Sequence, residues 1–91
     1  MPQPTAPLVI GDMPSKICKV LNALAPQAPK LGEVGTHVQL VLSLADAFDT
    51  DAAALRQVQA EIDAVAIASC PSSRETLLTA LKMPTLYEAL R

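Results

Sequence analysis

Residues 36–69 read THVQLVLSLADAFDTDAAALRQVQAEIDAVAIAS, and the spacing of their aliphatic side chains decides the fold class. In the second half Leu55, Val58, Ile62 and Val65 recur at intervals of three, four and three, the repeat of one narrow stripe along an α-helix. In the first half Val38, Val41, Ala45 and Phe48 repeat those intervals, while Leu40, Leu42 and Leu44 widen the apolar surface beyond a single seam. Between them stands the acidic break Asp49-Thr50-Asp51. Thr36 and Gln39 form a T-x-x-Q capping box at the start, and Thr50 is expected to cap the second helix with Asp51 near the positive end of its dipole. Two amphipathic helices on so short a connection predict an antiparallel hairpin with both seams turned inward.

The hairpin cannot stand alone, because ordering its backbone costs more than one shared seam returns. Its flanks are expected to cover it. Upstream, residues 1–11 carry three prolines before position 8 and read as an extended or disordered arm, with Leu8-Val9-Ile10 lying as an extended segment across the helices. Asp12 or Ser15 opens a first helix at about 13–25, in which Ile17, Val20, Leu21 and Leu24 share a face and Pro26 is the stop. Residues 25–35, with two prolines and two glycines, read as a linker.

Downstream, Cys70-Pro71 ends the second hairpin helix, since the residue before a proline is pushed out of the helical region. Ser72 with Glu75, and Thr85 with Glu88, make two further capping boxes around the break at Pro84. The expected helices are thus about 13–25, 36–48, 51–69, 73–83 and 86–91, the last two separate or joined by a kink. The fold class is all-α: a bundle of four to five helices around a central antiparallel hairpin, with residues 12–91 forming one domain.

Composition narrows the class of function. Of 91 residues 51% are hydrophobic but only 2% aromatic, so the core must be built from Ala, Leu, Val and Ile and an aromatic-lined ligand pocket is not expected. The net charge of −2 supplies no basic field for nucleic acid. Charge is uneven, with Asp46, Asp49, Asp51, Glu61 and Asp63 against the single Arg56 in the hairpin and a slight excess of bases in each flank, so the flanks are expected to neutralise it. Cys18 and Cys70 sit in apolar helical patterns and read as two reduced, buried thiols. The first residues lack the pattern of a secretory signal, and no run approaches the length of a membrane span. A cytoplasmic location is expected, with export independent of a cleaved signal as the alternative.

No residue set carries chemistry. His37 has neither nucleophile nor orienting acid beside it and reads as a solvent-facing residue of a first helical turn. Cys18, His37 and Cys70 lack the paired spacing of a zinc site. Asp49-Thr50-Asp51 begins like a calcium loop, but Ala53, Ala54 and Ala60 stand where further ligands and the turn glycine are needed. Gly32-Glu33-Val34-Gly35 lacks the lysine of a phosphate loop, and no Asp-Ser-Leu offers a phosphopantetheine attachment site. Neither metal nor cofactor is expected.

What remains is excess aliphatic surface. The expectation is a non-enzymatic module that binds another protein or itself: a small adaptor, chaperone or inhibitor. The segment singled out is the tail, with Leu77, Leu78, Leu81, Leu86, Tyr87 and Leu90 as candidate contacts. The alternative is a structural subunit of a homomeric assembly such as a secretion filament or virus particle. A helix-turn-helix regulator ranks third, because the final helix offers one side chain suited to base edges.

Overall fold

Asp12 precedes α1 (Met13–Leu24), and Pro14 falls in its first turn, where a missing N–H leaves no intrahelical acceptor unserved. Met13, Ile17, Leu21 and Leu24 line one face and are buried. The computed structural model describes residues 12–91. The arm expected at 1–11, with Leu8-Val9-Ile10, lies outside the described residues.

The expected linker is helical. A 3-10 turn, Ala25–Gln27, leads directly into α2 (Ala28–Ala47), interrupted only at Gly32, where φ is 75° and ψ −178°. The two prolines do not break the path because Pro26 and Pro29 each fall in the opening turn of their element, where no N–H is required. Gly32 does, because its positive φ is readily reached only without a Cβ. Thr36 therefore does not start a helix: it is fully buried inside α2, and its hydroxyl donates to the Ala28 carbonyl at 3.4 Å, tying together the segments on either side of the kink. Gln39 instead donates to Ser43 one turn on.

At the other end of α2 the Thr50 amide donates to the Ala45 carbonyl and the Asp49 amide to that of Asp46, with Asp49 and Thr50 both left-handed. This is the double hydrogen bond of a Schellman termination. The cap of α3 (Ala52–Ser69) is then Asp51, one residue later than expected, whose Oδ1 accepts from the amides of Ala53 and Ala54 at 2.9 and 3.0 Å. Thr50 is already committed to closing α2.

Cys70 leaves the helical region, and Pro71 opens α4 (Pro71–Leu81). Because the helix begins at Pro71, Ser72 lies inside its first turn and the expected Ser72–Glu75 box does not form. Lys82, left-handed, terminates α4, with the amides of Lys82 and Met83 both donating to the Leu78 carbonyl. Thr85 caps the one-turn α5 (Leu86–Ala89) by accepting from the Glu88 amide at 3.2 Å, as the spacing predicts.

All described elements are helical, but the central hairpin is not built as expected. Both α2 and α3 pack closely on α1 and α4, while the backbones of α2 and α3 seldom approach one another. The reason lies in which stripe of α2 turns inward. Thr36, Leu40, Leu44 and Phe48, spaced by four, are the buried row, and Val38 and Val41 of the expected seam are left outside. On α3 the seam is turned in as expected at Val58 and Ile62, with Ala66 continuing it and Leu55 and Val65 half-buried.

This arrangement also corrects the cysteines. Cys18 of α1 and Cys70 at the junction of α3 and α4 are bonded, with Cα atoms 5.8 Å apart across a sequence separation of 52. The charge expectation is met at one place, where Arg74 of the downstream flank pairs with Asp63 of α3 at 3.0 Å.

Candidate interaction surface

The leucines of the tail face inward. Leu77, Leu81 and Leu86 have no exposed surface and Leu78 very little, so in this structure they close the core against α1, α2 and α3. Tyr87 is about half exposed at 46%, and Leu90 is half-buried. Of the six residues singled out from the sequence, only these two reach the surface.

A polar clamp holds the tail in place. The Asp63 carboxylate accepts from the Leu86 amide through Oδ1 and from the Tyr87 amide through Oδ2, both at 2.9 Å, so it serves two otherwise unpaired donors at the start of α5. The same carboxylate accepts from Nε of the largely buried Arg74. At the far end of α5, His37 Nε2 lies 2.6 Å from the Ala89 carbonyl oxygen, and since a carbonyl only accepts, that nitrogen carries a proton. His37 is thus a part-buried cross-link between α2 and α5 rather than the solvent-facing residue expected. Gln59 of α3 adds a bond to the Tyr87 carbonyl at 3.3 Å.

With the tail closed, the exposed aliphatic surface is on α2. Val34, Val38, Val41 and Leu42 are 75, 51, 41 and 57% exposed and recur along one flank of the helix beside the buried row. Ile67 of α3 is also exposed, without such a row around it. Val38, Val41, Leu42 and His37 line a shallow depression. Val41 also lines a groove of about 330 Å³ between α2 and α3, whose walls include Ala45, Leu55 and Leu90 and whose floor reaches the core residues Leu44 and Val58. The groove lies where the backbones of these two helices stand apart. The flank and the groove are continuous through Val41, which belongs to both.

A second depression, about 450 Å³ between α1 and α2, is of different character, with Lys16, Lys19, Gln39, Ser43 and Asp46 around it. Asp46 offsets one of its two lysines, and Lys16 also lies over the Phe48 ring at 5.2 Å. No concentration of one sign results.

The sequence held a signal for the α2 flank. The helix carries two apolar rows, one through residues 36, 40, 44 and 48 and the other through 34, 38, 41 and 45. Only one of them can face the core of so small a domain. Val34 lies in the stretch whose prolines and glycines predict a linker, outside the expected hairpin. The chain is thus a small all-α protein, and among the described residues a flank of α2 carries a row of exposed aliphatic side chains. No protein-family model, curated protein or solved structure matches the chain.

Proposed function

We propose that this protein is a non-enzymatic interaction module whose α2 flank, with the adjoining α2–α3 groove, receives a protein partner. The observation that carries the reading is the run of Val34, Val38, Val41 and Leu42, continuous with an apolar groove and free of Asp, Glu, Lys or Arg from residue 34 to 45. Leaving such a row in water forgoes roughly 25 cal/mol for every Å² that a partner would cover. The non-enzymatic part of the reading rests on the sequence, in which no nucleophile, base and orienting group stand in a catalytic spacing.

The Cys18–Cys70 bond favours an oxidising compartment over the cytoplasm as the place of action. Among the described residues no helix is long and apolar enough to cross a membrane.

The test is cross-linking in the native source with a photoreactive side chain at position 38 or 41. Discrete adducts from these sites, and none from position 67, are the expected result. Equal labelling from all three positions overturns the reading, because Ile67 is as exposed as Leu42 but belongs to no row.

A further inference from the structure

We infer that the occupant of the α2 flank is a second copy of this chain, with the two α2 helices antiparallel about a two-fold axis; this rests on the proposed interaction role and names its partner. Three observations converge. The first is spacing: Val34, Val38, Val41 and Ala45 are separated by four, three and four residues, the alternation of a helix pair that meets along a seam, whereas the core row of the same helix is spaced by four throughout. The seam begins just after the Gly32 kink, so it lies wholly on the straight part of α2 and extends for about 17 Å.

The second is charge. Arg56 of α3 lines the groove at the Ala45 end of the seam, and Glu33 stands beside Val34 at the other. Neither has an ion-pair partner among the described residues. Antiparallel pairing sets Val38 against Val41 of the second copy and brings Arg56 of each chain to Glu33 of the other, twice. Parallel pairing would bring like charges together at both ends. Asp46, the next residue past the seam, belongs to the opposite flank, where it lines the depression with Lys16 and Lys19. It therefore does not oppose Glu33.

The third is area. A stable pair covers about 800 Å² on each partner, of which somewhat more than half is apolar. Toward that area this chain would contribute the exposed side chains of Val34, Val38, Val41 and Leu42 and the apolar walls of the adjoining groove. A two-fold axis makes one such patch sufficient, because the same surface serves both copies and the contact closes on itself.

The mass of the full, oxidised chain should be followed by sedimentation from micromolar to millimolar concentration. The expected result is a rise from one chain to two and no further. Val38→Asp should raise the dissociation constant about tenfold or more while leaving the thermal midpoint of the dilute protein unchanged, since residue 38 lies outside the core. Arg56→Glu should weaken pairing, and adding Glu33→Arg should restore it. A single-chain mass at every concentration overturns the inference, as does a dimer indifferent to Val38→Asp. Failure of the charge swap to rescue overturns the antiparallel register. A chain that stays single yet cross-links a different protein through positions 38 and 41 overturns the second copy as occupant and leaves the interaction role standing. A single chain with unselective cross-linking overturns both.

Discussion

The tail and the outer flank of α2 are both rich in branched aliphatics, yet one is sealed and the other open. Leu77, Leu81 and Leu86 are buried, and the segment that carries them is fixed by Asp63, Arg74, Thr85 and His37. Val34, Val38 and Val41 are exposed, and among the described residues no such clamp fixes a segment over them. Aliphatic density therefore does not by itself mark a binding surface. What separates core from surface here is whether polar partners exist to pin the element in place, because a one-turn helix such as α5 has too few hydrogen bonds of its own to stay folded.

The largest expected effect comes from the covalent tie at the root of the tail. Cys18→Ser with Cys70→Ser opens a loop of 52 residues and should cost about 4 kcal/mol in the chain-entropy treatment, read as a fall in the denaturation midpoint of the double variant. The next contrast sets the two regions side by side. Leu81→Ala should destabilise by about 2–5 kcal/mol through the cavity it leaves, whereas Val38→Ala should stay within about 0.5 kcal/mol. Denaturant titration of dilute protein measures both, and equal losses would abolish the distinction between sealed and open.

Asp63→Ala removes the acceptor of two amides and the partner of a largely buried guanidinium, and should cost about 2–3 kcal/mol. Hydrogen exchange should then quicken at the Leu86 and Tyr87 amides before it does in α2. One further substitution should bring a gain. Thr50 is a β-branched residue held at φ 55°, so Thr50→Gly should stabilise by about 1 kcal/mol, visible as a modest rise in thermal midpoint.

Much of the architecture was legible in residue order. The helical stripe of α3, the end of that helix before Pro71, the Thr85 cap and the all-α class all rest on local rules of spacing and capping. Helix starts were read less well because a capping residue competes with its neighbours. Thr50 lost the position to Asp51 once α2 ended in a Schellman turn, and Ser72 lost it when Pro71 took the first helical position. Residues 25–35 misled for a related reason: prolines there signal a break, but in an opening turn they are compatible with helix, and Gly32 alone interrupts it.

The candidate surface was legible only in part. Tyr87 and Leu90 reach or border solvent, while the other tail residues do not, and Val38 and Val41, whose spacing predicts the inner seam of a hairpin, lie on the outer flank of α2. Both rows of α2 have acceptable helical spacing, so periodicity could not choose between them. The cysteines posed the same difficulty, since an apolar helical setting is equally compatible with a buried thiol and with a bond to a distant helix.

By itself, then, the sequence determined where the chain is helical, roughly where each helix stops, and that the interior is aliphatic, because these follow from interactions within a few residues. Only the tertiary structure decided that α1 and α4 rather than α3 would cover α2, that Cys18 would meet Cys70, and that Asp63 and His37 would hold α5 between them. Those outcomes depend on which faces remain uncovered after every helix has been placed. Burial of aliphatic surface is not directional, so the choice between two suitable rows falls to the packing of the whole chain.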